Sequence, residues 1–449
     1  MSEAPGAPAP PRAPTRAEAF AFWWKLGWIS FGGPAGQIAI MHRELVDGRR
    51  WISERRFLHA LNYCMLLPGP EATQLAVYLG WLMHRTWGGV VAGVLFVLPS
   101  LFVLIALSWI YMRFGTVPAI AGALGGVKPV IVAIVLHAAW RIGRRTLRHA
   151  SLWAIAIVAF LALQVFGVPF PAIVLGAALA GVVLARIVPQ AFASANAHGA
   201  HGAAPASAVI DDDTPTPPHA RHSHGRLAAI VAAFAAIWAA GFAVALALGT
   251  TYAAMAWLFT KAALVTFGGA YAVLPYIVQQ AVEQHGWLTA PQMIDGLALG
   301  ETTPGPLIMV VAFVGFVGAW TQAALGAGAD AAAGIVGACI ATFFTFLPSF
   351  LFILAGGPLV EATHGDARVT APLTGITAAV VGVVVSLAVF FGAHVFWPAG
   401  FAPARPFDGL DLWAVAIFAA GAVALFAFRA GVIPLVLAGA LAGLVRVAL

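Results

Sequence analysis

"SFGGPAGQIAIMHREL", residues 30–45, places a Phe-Gly-Gly break, Phe31-Gly32-Gly33, inside an apolar run six residues after Lys25. "KAALVTFGGAYAVLPYIV", residues 261–278, repeats the arrangement with Lys261 and Phe267-Gly268-Gly269. A shift of 236 residues carries the first onto the second. The same shift pairs Trp51 with Trp287, and Pro68-Gly69-Pro70 with Pro304-Gly305-Pro306. Farther on, Leu-Pro-Ser at Leu98 recurs at Leu347, and "LWAIAI" at Leu152 recurs as "LWAVAI" at Leu412. The chain is written as two related halves.

Of 449 residues, 61% are hydrophobic and 9% charged, against roughly 25% charged in soluble domains. Residues 88–111, "GGVVAGVLFVLPSLFVLIALSWIY", exceed the ~20 apolar residues that span a bilayer. The composition predicts an all-α polytopic membrane protein with about six apolar segments per half and one more after a linker. Lipid offers no partners to strand edges, which requires helices, and the alternating strands of a barrel are absent from the pattern. The net charge of +6 reads as an orientation signal; no nucleic-acid motif accompanies it. Cys64 and Cys339 lie in apolar segments and read as two buried free thiols.

Residues 1–18 are polar and proline-rich, lack the apolar core of a signal peptide, and read as a disordered tail. The first membrane repeat covers 19–188. A linker, 189–226, holds five of the thirteen histidines: His198, His201, His219, His222 and His224. They show no fixed ligand spacing, so the linker reads as a cytoplasmic solvated spacer without a metal or a packed role. Residues 227–249 form one further transmembrane helix, and 250–449 the second repeat.

Charge in the connections fixes relative orientation. "MHRELVDGRRWISERR", residues 41–56, contains Arg43, Arg49, Arg50, Arg55 and Arg56, whereas its twin, residues 277–292, has no lysine or arginine. "RIGRRTLR", residues 141–148, has four arginines, and its counterpart near Phe390 has none. Short cytoplasmic loops collect Lys and Arg, so the halves have inverted topology and the helix after the linker flips the second half. Residues 43–56 and 141–148 share a side only if an early segment enters and returns. Inverted repeats with broken helices are a recurring plan of secondary transporters.

The breaks identify the returning segments. Each proline of "LPGPEATQ" and "TTPGPLIM" lacks an N–H and clashes with the carbonyl four residues back. Freed carbonyls are tolerated in a membrane only when buried in protein or facing a watery cavity. Proline suits the first turn of a new helix, so half-helices are expected to start at Pro70 and Pro306, with Thr302 and Thr303 available to cap the second. Such a start directs N–H groups and a positive dipole end into the interior. The chain has three lysines, Lys25, Lys128 and Lys261, all in or near apolar segments. Together with helix starts they suggest an anion, and Lys25 and Lys261 also suit snorkelling at helix ends. Glu71 follows the first Pro-Gly-Pro and Glu301 precedes the second; these are either proton carriers or partners of the lysines in the empty site. Asp295 is a further acid.

"FGGPAGQIAIMHRELV", "LPGPEATQLAVYLGWLMHRTWGG" and "GLALGETTPGPLIMVVAFVGF" resemble the chromate ion transporter (CHR) family in its long two-domain form, over about residues 20–186 and 252–449. The resemblance implies export of chromate across a bacterial inner membrane and use of the proton gradient. No flavin, haem or iron–sulfur ligand set appears in the sequence, so no cofactor is expected. The family pattern often has glutamine where this chain has Thr73 and Ala312. The combined reading places substrate at Lys25, Phe31, Gly32, Gly33, Pro68, Gly69, Pro70, Glu71, Lys261, Phe267, Gly268, Gly269, Glu301, Thr302, Thr303, Pro304, Gly305 and Pro306, with Lys128 and Gln74 as further candidates. Sulfate, also a tetrahedral dianion, is an alternative cargo, and a channel an alternative mode. A membrane-embedded transferase is disfavoured because no nucleophile, base and orienter group together. A pump would need a G-x-x-x-x-G-K-[ST] loop, and this chain contains no Gly-Lys pair.

Overall fold

A computed structural model of the chain describes residues 12–31, 33–188, 208–211, 214, 219, 223–360, 370–405 and 407–449. In chain order its helices are α1 (Arg16–Ile29), α2 (Gly33–His42), α3 (Glu54–Leu66), α4 (Glu71–Phe114), α5 (Pro118–Thr146), α6 (Ala150–Gln164), α7 (Phe170–Ile187), α8 (His224–Leu248), α9 (Thr250–Val265), α10 (Ala270–Val278), α11 (Ala290–Thr302), α12 (Val310–Thr321), α13 (Asp330–Val360), α14 (Thr370–Phe396), α15 (Leu412–Phe426) and α16 (Val432–Ala448). Six of them are long and apolar enough to cross a bilayer. Among the described residues no strand forms beyond one bridge, Ile52 to Ile210.

The halves repeat in detail. α2 ends in a π-helical turn, Arg43–Gly48, and α10 in its twin, Gln279–Gln284. Trp51 N–H donates to Leu45 O and Trp287 N–H to Ala281 O, both at 2.8 Å. α3 starts after Ser53, whose side chain accepts from Arg56 N–H. α11 starts with a Thr289–Gln292 capping box, which satisfies two orphan donors at once.

α1 and α2 form a hairpin that enters and returns. Arg49, just past α2, stacks its guanidinium over Phe22 of α1 and over Trp51, at 5.2 and 5.0 Å. α3 and the first arm of α4, residues 71–83, form a second hairpin with its base on the same face. There His84 Nε2 lies 3.0 Å from Pro14 O, at the foot of α1. Arg85 takes φ +60, and the second arm of α4 then crosses. α5 returns: its far end packs against Gly443 and Val447 of α16, and its near end against Phe426 of α15.

α8 starts beside these hairpin bases, where Arg226 donates to His219 O (2.6 Å), and ends at Gly249, the entrance to α9. The second-half hairpins, α9–α10 and α11–α12, therefore come from the opposite face, and the tips of the two sets meet inside. The scaffold around them packs through small residues: a Cβ on Gly382 of α14 would lie 1.9 Å from Ala156 O of α6, and one on Gly126 of α5 would lie 2.1 Å from Gly439 O of α16. Small residues let apolar helices approach closely where lipid removes the hydrophobic drive.

Both early segments of the first half return, and the second of these hairpins, between the two arginine clusters, explains why residues 43–56 and 141–148 share a face. Arg85 and Arg186 lie there too, whereas Arg113, Arg405 and Arg446 lie across from it. Three expectations change. α1 begins at Arg16 behind a Thr15–Glu18 capping box, inside the stretch read as tail. Cys339 is exposed while Cys64 is buried, because α13 turns Cys339 outward. Part of the linker is docked: Ile210 is buried, its N–H donates to Trp51 O (3.1 Å), and Ser53 N–H donates to Ile210 O (3.0 Å). Arg56 donates to Thr214 O (2.5 Å), and the His219 ring stands edge-on to Trp81. An apolar residue in a polar tract found an apolar surface at the hairpin bases. His198, His201 and His222 lie outside the described residues; among those described no metal-binding cluster forms.

Candidate functional site

The hairpin tips pair crosswise between the halves. Gly69 N–H, in the first Pro-Gly-Pro, donates to Thr266 O beside the second Phe-Gly-Gly; Gly305 N–H, in the second Pro-Gly-Pro, donates to Ser30 O beside the first. Both bonds are 2.7 Å. The two break residues also match: Ser30 Oγ donates to Leu26 O and Thr266 Oγ1 to Ala262 O, each at 2.6 Å. Their hydroxyls satisfy the carbonyls of the helix that has just ended.

Each Pro-Gly-Pro glycine has a backbone that L side chains rarely adopt, with φ +123 at Gly69 and +102 at Gly305. Each also faces a serine from the repeated Leu-Pro-Ser. A Cβ on Gly69 would lie 2.5 Å from Ser349 Oγ, and one on Gly305 2.7 Å from Ser100 Cβ. Amides complete the tips. Gln37 Nε2 donates to Gly305 O (2.5 Å), and Gln74 Nε2 donates to Pro68 O (2.7 Å).

Around these tips five buried atoms have no partner among the described residues: Thr73 Oγ1, Ser100 Oγ, Ser349 Oγ, Gln37 Oε1 and Gln74 Oε1. A buried unpaired polar group costs about 1–3 kcal/mol, so the cluster can take a polar occupant at no loss of existing bonds. Three of the five are hydroxyls able to donate to an oxyanion. α4 and α10 start at the tips with no side-chain cap on Pro70 or Gly269, which leaves first-turn N–H groups directed inward.

The predicted residues divide. Gly33 and Gly269, with φ +69 and +99, direct a would-be Cβ into open space, and Gly268 faces Thr377. Gly32 lies outside the described residues. Phe31 is exposed, and Phe267 packs against the main core. Glu71 is the first residue of α4; Glu301 accepts from Tyr271 OH, next to the second tip. Pro68, Pro70, Pro304 and Pro306 bracket the turns as expected. Thr302 and Thr303 do not cap α12: Thr302 Oγ1 donates back to Ala298 O and Thr303 Oγ1 to Gly300 O, both at 3.1 Å. They sit at the end of α11, where a hydroxyl finds spare carbonyls before it finds spare N–H groups. The amides of Gly69 and Gly305 are likewise taken, by the opposite repeat.

The lysines are dispersed. Lys25 is exposed on α1, Lys261 lies 5.8 Å from the Trp257 ring, and Lys128 pairs with Asp295 at 3.3 Å. Hydroxyls, amides and helix starts surround the tips instead. Thr73 departs from the glutamine of the family pattern; Gln37, Ser100 and Ser349 did not stand out in the sequence as candidates, and only the two serines carried a signal. Their signal is the recurring Leu-Pro-Ser, a serine after a proline deep in a long apolar helix.

The family described as chromate transporter matches residues 17–182 and 253–444, the two membrane halves. A chromate transport protein of Pseudomonas aeruginosa is 34% identical over 94% of this chain and 91% of its own. One from Cupriavidus metallidurans is 29% identical over 81% and 79%, and a probable chromate transport protein of Synechococcus elongatus 27% identical over 83% of each. No solved structure matches the chain. With both halves matched, and every break that pairs at the tips inside the matched ranges, this chain belongs to the chromate transporter family.

Proposed function

We propose that the protein exports chromate across the bacterial inner membrane, drawing on the proton gradient, and so confers chromate resistance. The observation that carries this reading is the crossed pair of tips with unsatisfied buried hydroxyls between opposed hairpins. A tetrahedral oxyanion there takes hydrogen bonds from Thr73, Ser100 and Ser349 and faces the starts of α4 and α10. Positive-inside charge bias puts the arginine-rich face in the cytoplasm. Hairpins that do not cross can rock against the spanning helices, exposing the tips to one face at a time. Glu71 and Glu301 flank the tips and would repel a dianion when ionised, which makes them the proton carriers of the cycle.

Everted membrane vesicles test this reading. They should accumulate labelled chromate, and an imposed proton gradient should raise the rate. Accumulation without any response to the gradient removes the coupling, and no accumulation removes the export. Sulfate is the second reading, because hydroxyls and helix starts recognise charge and shape before the central atom. Excess sulfate that abolishes chromate uptake would favour it.

A further inference from the structure

A separate cavity of about 310 Å³, largely apolar in its walls, opens on the face opposite the arginine-rich one, beside the α4–α5 turn. Tyr111, Thr116, Lys128, Gln292 and Asp295 supply its polar lining. Lys128 Nζ lies 3.3 Å from Asp295 Oδ2, and Tyr111 OH donates to the same oxygen at 3.0 Å. The other oxygen, Oδ1, is buried and has no partner among the described residues. Asp295 is 3% exposed, yet its side chain lines the cavity. A carboxylate built only to neutralise Lys128 would have both oxygens satisfied.

We propose that this cavity is a second, outer oxyanion station, at which a proton on Asp295 releases Lys128 to bind a tetrahedral dianion. The proposal rests on the oxyanion cargo argued above. With Asp295 ionised, Lys128 and the Tyr111 hydroxyl are both engaged, and the carboxylate repels an arriving anion. A proton added at Oδ1 removes that charge. The ammonium group, Tyr111 OH and Gln292 then face the cavity together. Proton and dianion bind cooperatively, each raising the affinity for the other by the same factor.

The titratable groups facing Asp295 are Lys128 from α5 and Tyr111 from α4. Of the other helices packed against α11, α12 has no titratable residue. The His394 ring of α14 is bonded to Phe390 O, and Arg446 of α16 is paired with Asp411. In an exporter this arrangement acts as a return valve. At neutral external pH the emptied station re-forms its ion pair and does not readmit the anion.

The full chain in lipid nanodiscs is titrated with sulfate, whose charge is constant between about pH 5 and about pH 8, and with chromate at the alkaline end. Wild-type affinity for sulfate should rise on acidification by up to about tenfold per pH unit, the limit for uptake of one proton. Asp295→Asn should hold the acid-limit affinity at every pH. Lys128→Gln should lose the sulfate station throughout and keep chromate binding at the tips. The proposal is overturned if Lys128→Gln binds sulfate like the wild type, if Asp295→Asn keeps the pH dependence, or if the wild type binds no sulfate at any pH. Ser100→Ala/Ser349→Ala that keeps full chromate binding, with the sulfate station intact, overturns the tip site and supports this one.

Discussion

At the scale of the residue, the serines facing the Pro-Gly-Pro turns separate a structural from a functional role. A buried hydroxyl with no partner weakens the fold, so Ser100→Ala or Ser349→Ala should leave the melting temperature equal or higher. If the hydroxyl binds substrate, each change should raise the KM for chromate roughly fivefold to tenfold, the worth of one hydrogen bond of about 1–1.5 kcal/mol. Thermal unfolding and vesicle uptake on the same preparations check both halves of that expectation. Gly69→Ala should behave differently. It meets both the φ of +123 and Ser349 Oγ, so a loss of about 1–3 kcal/mol in stability is expected, seen as a lowered melting temperature. The double variant Gly69→Ala/Ser349→Ala should recover only the steric part.

At the scale of the element, the linker reverses a reading. A polar tract with scattered histidines looked like spacer, and Ile210 carried no periodic signal to mark it. Yet it covers the bases of both first-half hairpins. Ile210→Asp places a charge against Trp51 and Ile52, and should make residues 43–56 markedly more sensitive to limited proteolysis without displacing α8 from the membrane. Unchanged cleavage would show the contact to be idle. Hairpins were legible in part: Phe-Gly-Gly and Pro-Gly-Pro marked where helices stop, because glycine and proline act locally. Which break meets which was not legible, since Gly69 and Thr266 come together through the packing of opposed halves. The lysines misled for a related reason. A lone charge in an apolar run announces a cost, but sequence alone does not show whether it is met at a binding site, by Trp257, or by Asp295.

At the scale of the whole molecule, an excess of arginines on one face and hairpins reversed between the halves lead to one expected orientation. Single cysteines placed at Arg50 and at Gln284, in a chain with Cys64→Ala and Cys339→Ala, should label from opposite sides of the membrane. Labelling from one side would remove the inverted architecture. Replacing Cys339 is needed because it is exposed and would add background. The repeat was legible from a constant offset and its inversion from the charge of the loops, because both are written along the chain.

The crossed tip bonds also set a schedule for biogenesis. Thr266 is synthesised roughly 200 residues after Gly69, about 10–40 s later at ~5–20 residues per second. Through that interval the nascent first half holds an unpaired Gly69 N–H in a medium that supplies no acceptor. A quality-control protease would meet it as an unfinished membrane domain. Residues 1–188 expressed alone should therefore be degraded rapidly, and co-expression of 208–449 should extend their half-life and restore uptake, as read by pulse-chase and vesicle assay.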